Sequence, residues 1–419
     1  MREMTMSGEV WIGNRPVDWE ENKIKYVAPI HNERASTNEG YIGLENIESW
    51  TGKLLPSDSV ATGESVAFQK NDVLFGKLRP YLAKSFLAKQ SGCGSTELLV
   101  MRPDGISPEY LAYIMRSKTL VDCIDVSTYG AKMPRANGDF IKNLRVPLPP
   151  LSEQHTIVRY LDSKCAAIDE AIERHKKIIE KMGEYRKAVV SDAIVHGLDK
   201  CVPVKASGIS GIGDIPTHFS STRVKFLGTY RNGLTYSPAD VCNSDEGTLV
   251  LRSSNIQDGK LTLNDNVYVN CPIDERIMVK DGDILICARN GSAKLVGKSA
   301  IIEGVHATYG AFMMVLRTTA VPKYMYYMLN SVVMDVYRAS FSTTTVNQLT
   351  AGILGNMVIP YCPGKAEQRA IADYLDEKCA AINDVIESHQ GIVNKLEEYR
   401  KSIIYNAVTG KIDCREAVK

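Results

Sequence analysis

One stretch of the sequence has residue types and spacing that suggest phosphate chemistry. A predicted strand beginning at Ile284 leads to Gly291 and then to Gly297-Lys298-Ser299, as in a loop that cradles nucleotide phosphates. However, five residues separate the two glycines where that loop has four, and the residues that follow are β-branched and aliphatic. The helix N-terminus that would supply backbone donors to a phosphate is therefore missing. The sequence argues against nucleotide binding here.

Other arrangements that would support catalysis are absent from the sequence. No glycine-rich strand-turn-helix is followed by the Asn/Asp-Pro-Pro-aromatic tetrapeptide of a methyltransferase. We find no acidic cluster suited to two metal ions and no nucleophile elbow. The ten cysteines form no Cys-x-x-Cys pair and no Cys/His cluster, which argues against a zinc site and against a disulfide framework. We therefore expect no catalytic, cofactor-binding or metal site in this chain.

Side chains suited to nucleic acid are concentrated in the polar loops of two regions. Arg and Lys bind phosphates, while Arg pairs with guanine and Asn or Gln with adenine. Taken singly, each residue also fits an ordinary solvated position, but their concentration in loops favours nucleic-acid binding. The candidates in the first region are Lys77, Arg79, Lys84, Lys132, Arg135 and Asn137. The candidates in the second region are Arg252, Asn255, Arg289, Asn290, Lys294, Lys298, Thr344, Asn347 and Gln348.

The elements that would position these loops include a long internal repeat. Residues 153–199 match residues 367–413 at roughly half of their positions without a gap, a displacement of 214 (367 − 153). Both copies begin Glu-Gln and contain Tyr-Leu-Asp, Lys-Cys-Ala-Ala-Ile and Glu-Tyr-Arg-Lys in the same order. Prolines precede both copies and occur in neither, and Gly197 and Gly410 mark the predicted ends. Each copy is therefore predicted to be a helix of about 40 residues, roughly 60 Å long.

Within each copy, a column of mostly apolar residues recurs in alternating steps of four and three, the spacing of a coiled-coil seam. Because one chain carries two such seams, the predicted fold lays one helix against the other. The alternative is that each helix packs on its own neighbouring globular region. His175 and His389 occupy equivalent seam positions and are interpreted as core histidines. The predicted seam residues are Leu161, Cys165, Ile168, Ile172, Ile179, Met182 and Val189 in the first copy, and Leu375, Cys379, Ile382, Ile386, Val393, Leu396 and Ile403 in the second.

The regions before the two helices are also related, but more faintly. Ser-Gly, Ile-Gly-x-x-Pro and Lys landmarks between residues 7 and 25 recur between residues 207 and 225. Runs of β-branched residues predict strands and two amphipathic runs predict short helices, so the class is mixed α/β (α+β). The chain is thus predicted to be two half-molecules in tandem, each a variable globular domain followed by a nearly constant helix. The predicted strands include 98–101, 248–251, 284–287 and 312–316, and the predicted short helices are 108–123 and 322–337.

Composition limits the class of protein. With 419 residues, 44% apolar and 24% charged, the chain is large enough for two globular cores and the helices. No apolar run approaches the length of a membrane span and the N-terminus lacks a basic-then-apolar signal, so a cytoplasmic location is expected. The net charge of +1 neither indicates nor excludes a nucleic-acid partner, because acidic helices can balance a basic face.

Together, these motifs resemble the specificity subunits of type I restriction-modification systems. The resemblance spans nearly the whole chain. It rests on the duplicated Glu-Gln helices with their Pro-rich strand ends (146–154 and 358–368), the Ile-Gly-x-x-Pro starts, and residues 282–302. The second helix opening departs from the first, because residues 361–366 read Tyr-Cys-Pro-Gly-Lys-Ala where residues 148–152 read Leu-Pro-Pro-Leu-Ser.

This resemblance implies two target recognition domains, each of which reads one half of a split, asymmetric site in double-stranded DNA. It implies that the helices form an antiparallel coiled coil, which spaces the domains and docks two modification (methyltransferase) subunits. Two restriction (motor and nuclease) subunits would join them, and S-adenosylmethionine, ATP and Mg would belong to these partners. The implied segments are recognition domains at 1–150 and 201–365 and conserved helices at 151–200 and 366–419.

The sequence leaves open two hypotheses that assign the chain to other functional classes. In the first, the chain is a coiled-coil scaffold whose globular domains bind protein. In the second, it is an enzyme whose site is not recognised, which would be active as a purified single chain. Salt-sensitive, methyltransferase-dependent binding to a split DNA site would distinguish the specificity subunit from both, because phosphate contacts release counterions.

Overall fold

The chain forms a mixed α/β structure with two long helices, as the sequence predicts. By internal contacts it divides into two compact units, Met1–Lys176 with Gln390–Lys419 and Lys177–His389. Each unit therefore combines one globular region with part of each long helix. No helix within the described ranges is long and apolar enough to cross a membrane. The computed structural model describes residues 2–37, 39–56, 63–130, 133–338 and 347–415.

Short strands and helices make up the first globular region, and a long helix follows it. The strands are β1 (Met4–Met6), β2 (Asn14–Pro16), β3 (Glu20–Lys23), β4 (Ile30–His31), β5 (Ser65–Phe68), β6 (Val73–Gly76), β7 (Ser85–Leu87), β8 (Gly92–Ser95), β9 (Leu98–Met101) and β10 (Arg145–Leu148). The helices are α1 (Ile24–Val27), α2 (Pro108–Ile114), α3 (Lys118–Val126), α4 (Gly138–Asn143) and the long α5 (Leu151–His196).

An antiparallel four-stranded sheet, in the order β4-β9-β6-β7, forms the centre of this region. All residues of β6 and β9 are buried, which explains why both strands read as continuous apolar runs. Asp72, which precedes β6, accepts two hydrogen bonds of 3.0 Å from the guanidinium of Arg102, which follows β9. The separate pair β3 and β10 leads directly into α5, so this pairing sets where the long helix begins.

The second globular region repeats this plan with additional strands. Its strands are β11 (Val204–Ala206), β12 (Asp214–Pro216), β13 (Ser220–Arg223), β14 (Gly228–Asn232), β15 (Val241–Cys242), β16 (Thr248–Leu251), β17 (Ile256–Gln257), β18 (Lys260–Leu261), β19 (Val267–Val269), β20 (Ile284–Cys287), β21 (Ser299–Ile301), β22 (Ala307–Tyr309), β23 (Met313–Thr318) and β24 (Val358–Tyr361). Its helices are α6 (Pro322–Leu329), α7 (Val332–Arg338), α8 (Ala351–Asn356) and the long α9 (Lys365–Val408).

The sheets of the second region match those of the first. The order β14-β23-β20-β21 corresponds to β4-β9-β6-β7, and the pair β13 and β24 leads into α9 as β3 and β10 lead into α5. Asp283 accepts hydrogen bonds of 2.8 and 2.7 Å from Arg317, which reproduces the pair at the start of β6. A further sheet, β15-β19-β16-β22, contains one parallel contact, between β16 and β22.

The predicted strands 98–101, 248–251 and 284–287 coincide with β9, β16 and β20, and 312–316 overlaps β23. The two predicted short helices are each divided in two, which corrects the prediction. In the first, the chain turns between α2 and α3, and Ser117 N donates to Ile114 O at 2.9 Å. In the second, Ser331 separates α6 from α7, and its hydroxyl accepts from Val333 N at 3.2 Å. A serine at such a position satisfies free backbone donors at the start of a new helix.

The long helices begin and end as the repeat predicts. They contain 46 and 44 residues and begin at Leu151 and Lys365, which differ by the same 214 positions (365 − 151) as the sequence repeat. The different opening sequence therefore does not move the start of the second helix. Each helix is followed by a left-handed glycine, Gly197 with φ 69° and Gly410 with φ 73°. Glycine takes this conformation without a Cβ penalty, and so ends a helix.

The Glu-Gln pair at each helix start is explained by buried hydrogen bonds. Gln154 accepts from Ser107 N through Oε1 and donates to Pro149 O through Nε2, both at 2.8 Å. Gln368 makes the equivalent bonds, accepting from Val321 N at 2.8 Å and donating to a carbonyl of the preceding loop at 2.7 Å. Both glutamines are almost fully buried. Each one joins a short helix of its globular region to the start of the long helix.

The long helices pair in an antiparallel sense. In the first unit, Arg400 Nη1 lies 2.6 Å from Asp169 Oδ1, and in the second unit Arg186 Nη1 donates to Asn383 Oδ1 at 2.7 Å. Moving 17 residues forward along α5 (186 − 169) moves the partner 17 residues back along α9 (400 − 383). The predicted seam residues are all buried or half-buried, so the seam column faces away from solvent along both helices.

Candidate nucleic-acid interface

The candidate residues of the first region follow the buried strand β6. Lys77 is half-buried, and its backbone is fixed at both ends: its N–H donates to Glu97 O at 2.8 Å, and its carbonyl accepts from Ala136 N at 2.9 Å. The next residue, Leu78, forms an isolated β-bridge with Arg135. The loops on both sides of this junction are therefore held by the core sheet.

The second region has the same junction after β20. Ala288 N donates to Phe312 O at 2.9 Å, and the Ala288 carbonyl accepts from Leu349 N at 2.8 Å. The next residue, Arg289, forms an isolated bridge with Gln348. The same hydrogen bonds thus place equivalent residues in both regions, although the sequences of the loops differ.

The side chains at these equivalent positions differ between the two regions: Leu78 and Glu97 are half-buried, whereas Arg289 and Phe312 are exposed. Where the first region has Leu78, the second has Arg289, and where the first has Glu97, the second has Phe312. Glu97 accepts a hydrogen bond of 2.8 Å from Arg135, and this bond raises the pKa of the Arg135 guanidinium. In the second region, the guanidinium carbon of Arg289 lies 5.1 Å from the centre of the Phe312 ring. A salt bridge is therefore replaced by a cation–π contact.

Two candidate lysines bind backbone carbonyls of a neighbouring turn. Lys84 Nζ donates to Leu44 O at 2.6 Å, and burial lowers the pKa of this ammonium group. Lys298 Nζ donates to Ser253 O and, at 3.0 Å, to Ile256 O. Both lysines are half-buried. In this state their ammonium groups support the fold of the loop, and little of their charge faces solvent.

The turn held by each lysine also contains a buried asparagine. Asn46 Oδ1 accepts from Gly43 N at 2.7 Å, and Asn255 Oδ1 accepts from Arg252 N at 2.9 Å. Asn255 also donates to Thr262 O at 2.9 Å and is fully buried. The candidate Asn255 is therefore occupied by backbone groups, as is its equivalent in the first region.

The candidate Asn137 caps a short helix. Its Oδ1 accepts from Asp139 N at 2.9 Å and from Phe140 N at 3.3 Å at the start of α4. The equivalent residue of the second region, Thr350, accepts from Ile353 N at 3.2 Å at the start of α8. A side chain of this type at this position satisfies helix donors that have no partner within the helix. Both regions therefore use the same cap with different residues.

Four candidates of the second region line one open cleft of about 1230 Å³, which lies within the second unit. Arg252 Nη2 is held by the carboxylate of Asp265 at 2.9 Å, while the buried Nε of Arg252 has no partner among the described residues. Arg289 is exposed. The cleft is also lined by Asn290, Asn347, Tyr236, Ser253 and Phe312.

The two asparagines of the cleft are fixed by hydrogen bonds to its wall. Asn290 Nδ2 donates to Ser253 Oγ at 3.2 Å, and Asn347 Nδ2 donates to Gly291 O at 3.1 Å. Asn290 Oδ1 also accepts from Ser292 N at 3.0 Å. Beside these amides, the cleft presents two guanidinium groups and two aromatic rings. Guanidinium, carboxamide and aromatic groups are the kinds that contact nucleobases. The cleft thus brings together four of the candidate residues of the second region.

The remaining candidates are less well placed by neighbours. Arg79 is exposed and has a left-handed backbone with φ 52°, and Lys294 is exposed on a short turn. Gln348 is half-buried. Lys132 and Thr344 lie outside the described residues. Within the described ranges, no group of three or more His, Cys, Asp or Glu side chains is arranged to hold a metal ion.

The sequence of this chain is similar to those of known proteins. Residues 16–181 match the model of the type I restriction modification DNA specificity domain. The chain is also 22% identical to the type I restriction enzyme MjaVIII specificity subunit of Methanocaldococcus jannaschii over 95% of this chain and 93% of that protein. It is 24% identical to the EcoKI specificity subunit of Escherichia coli over 75% of this chain and 68% of that protein. Over these stretches the chain is similar to type I specificity subunits.

A solved structure has the same fold as this chain. A chain from a structure of a type I R-M system superposes with a TM-score of 0.67 at 20% identity, and the match covers 95% of this chain and 99% of that chain. The antiparallel long helices and the two related globular regions are thus an architecture found before. At this level of identity, the likeness extends to the fold alone.

Sequence reasoning missed three residues that shape the cleft in the second region. Phe312 is 60% exposed at the start of β23, and Tyr236 and Asp265 lie on loops far from it in sequence. A signal for Phe312 was present, because an aromatic residue follows Gly310-Ala311 at the edge of an apolar strand. Nothing in the local sequence marks Tyr236 or Asp265, since only the fold brings them to Arg252 and Arg289.

Proposed function

We propose that this chain is the non-catalytic DNA sequence-recognition subunit of a type I restriction-modification complex. The observation that carries the proposal is the pair of related loop surfaces, which share buried polar contacts. They differ in the side chains at equivalent positions, such as Leu78 and Arg289. Two copies of one binding surface would keep their exposed residues alike. Two surfaces that read different sequences need a common framework with different exposed side chains.

In this proposal each globular domain binds one half of a bipartite site in double-stranded DNA. The domain within residues 1–150 presents Lys77, Arg79 and Arg135, and the domain within residues 201–365 presents Arg252 and the residues of the cleft around it. Because the side chains differ between the domains, the two half-sites differ in sequence and the whole site is asymmetric. Exposed lysines and arginines would contact phosphates and fix the position of each domain on the duplex.

The paired helices would act as a spacer between the half-sites. A helix of 46 residues spans about 70 Å. Such a length suffices to hold two domains one turn of DNA apart on the same side of the duplex. The base pairs between the two half-sites would then be unread.

The helices would also dock two equivalent modification subunits. Tyr185 and Tyr399 occupy the same position in the two helix repeats and are 55% and 53% exposed. Exposed aromatic residues are enriched at protein interfaces. The same aromatic side chain at both positions supports two copies of one partner. The partners in the cytoplasm would be two modification subunits and two restriction subunits. They would supply the chemistry that uses S-adenosylmethionine, ATP and Mg, and this chain would supply the recognition of the DNA sequence.

Methylation mapping tests this proposal directly. The chain is expressed with its neighbouring modification subunit in cells, and methylated positions are mapped by single-molecule sequencing and compared with cells that lack the chain. We expect a split motif that requires the chain. If no motif appears although the modification subunit is folded and binds S-adenosylmethionine, the scaffold reading is favoured instead.

A domain exchange extends the test to the two half-sites. Residues 1–150 are replaced by the first domain of another family member, with the helices unchanged. We expect the methylated motif to change in one half only, because each domain reads its own half-site. A change in both halves would contradict independent recognition, and an unchanged motif would remove the first domain from recognition.

A further inference from the structure

The backbone of Arg289 is unusually well fixed for an exposed residue. It follows the fully buried strand β20, its N–H donates to Phe312 O at 3.0 Å, and it forms a bridge with Gln348. The Cα therefore has little freedom, and the side chain projects from a rigid point into the cleft of the second domain. Such support is what a site that must distinguish one base from another requires.

The guanidinium group of Arg289 is also restricted, but it is not neutralised. It lies 5.1 Å from the centre of the Phe312 ring, and among the described residues no carboxylate lies within ion-pair distance of it. The nearby Arg252 differs, because Asp265 already occupies its Nη2 at 2.9 Å. Stacking on a ring orients a planar guanidinium while its N–H donors stay available.

A fixed, planar donor fork is better suited to a base than to a phosphate. A phosphate contact needs only positive charge, which a flexible lysine such as the exposed Lys294 can supply. Two parallel N–H groups match the O6 and N7 acceptors of guanine in the major groove, which is the commonest specific arginine contact.

We propose that Arg289, oriented by Phe312, is a specificity-determining residue that reads a guanine in the half-site bound by the second domain. This inference rests on the proposed function. The first domain lacks such a reader at the equivalent position, because Leu78 stands there and Glu97 replaces the ring. The guanine requirement set by this position therefore belongs to one half-site only.

The test uses the complex of the full chain with its modification subunits and DNA duplexes that carry the mapped site. Each base pair of the second half-site is replaced in turn, and Kd is measured by fluorescence anisotropy at several salt concentrations. For the wild-type complex, replacing the guanine that Arg289 reads should weaken binding by roughly 5- to 150-fold. In Arg289→Ala and Arg289→Lys, this penalty should disappear while the penalties at all other positions stay.

Arg276→Ala is the matched control, since Arg276 is an exposed arginine of the same unit, paired with Asp274 and outside the cleft. It should leave every penalty unchanged. The inference is overturned if Arg289→Ala weakens binding equally for all sequences and lowers the salt slope, while Arg289→Lys binds as tightly as the wild type. Those two results together are what a phosphate contact would give. It is also overturned if the second half-site contains no guanine. Failure of the proposed function would look different: the wild-type complex would show no sequence preference at all.

Discussion

The buried glutamine at the start of each long helix should be a major source of stability. Replacing Gln154 with Leu keeps the approximate size but leaves Ser107 N and Pro149 O without their partners in a buried site. Each unsatisfied buried backbone group costs about 1–3 kcal/mol, so we expect a loss of about 2–4 kcal/mol in the free energy of unfolding. For a unit of this size that corresponds to a decrease in Tm of about 5–15 °C. Gln368→Leu should have an effect of similar size, because it removes the same two bonds.

The measurement is thermal and urea unfolding, followed by circular dichroism and calorimetry. Because the chain has two compact units, we expect Gln154→Leu and Gln368→Leu to shift different parts of the transition when the units unfold separately. Gln390→Leu provides the control, since Gln390 is exposed on α9 and its amide bonds only to the side chain of Asn394 at 3.0 Å. This control should change the stability by less than about 0.5 kcal/mol. An equally small effect of Gln154→Leu would refute the reasoning, because it would mean that the buried backbone groups find other partners.

Two further predictions concern buried ionisable groups. Burial raises the pKa of Tyr309 to about 12 and that of Tyr324 still further. The folded state therefore favours the neutral phenols, and this stability is present below about pH 10 and is lost as the pH rises through 12. In a titration followed by tyrosinate absorbance, Tyr309 and Tyr324 should therefore ionise only as the protein unfolds. The prediction is contradicted if all 20 tyrosines ionise reversibly near pH 10 while the circular dichroism spectrum of the folded protein is retained. Burial also raises the pKa of Cys362 to about 12, whereas Cys201 is exposed. At pH 8 a thiol reagent should modify Cys201 at least about 100-fold faster than Cys362 in the native protein, as measured by mass spectrometry of digests. Equal rates for the two thiols in the native protein would contradict the burial of Cys362; the denatured protein is the control.

The long helices and their pairing could be predicted because the signals are local and repeated. A heptad column and flanking prolines and glycines determine where a helix lies and which side it buries, and both helices keep this column away from solvent. The buried strands β9 and β20 could be predicted for the same reason, since apolar runs bounded by polar residues leave few alternatives. The split of the two short helices was missed because amphipathic spacing continues across Ser117 and Ser331, while the backbone turns there.

The roles of the loop residues could not be predicted in the same way. Lys84, Lys298 and Lys294 look alike in a polar loop, yet the first two donate to backbone carbonyls and the third is exposed. The difference depends on turns 40 or more residues away, such as Leu44 for Lys84. The partners of Arg252 and Arg289 likewise come from distant loops. Only the folded chain separates side chains that build the surface from those that face outward.

The two kinds of residue also differ in how freely they can change. A buried polar group such as Asn255 or Lys298 must keep its partners, because each lost partner costs about 1–3 kcal/mol. An exposed side chain such as Arg289 can be replaced at a cost of roughly 0.5 kcal/mol or less. A duplicated framework therefore tolerates divergence at the exposed positions without losing its fold. On this argument, stability does not require an arginine at position 289, so the proposed reading of a guanine gives this exposed side chain a role that the fold does not.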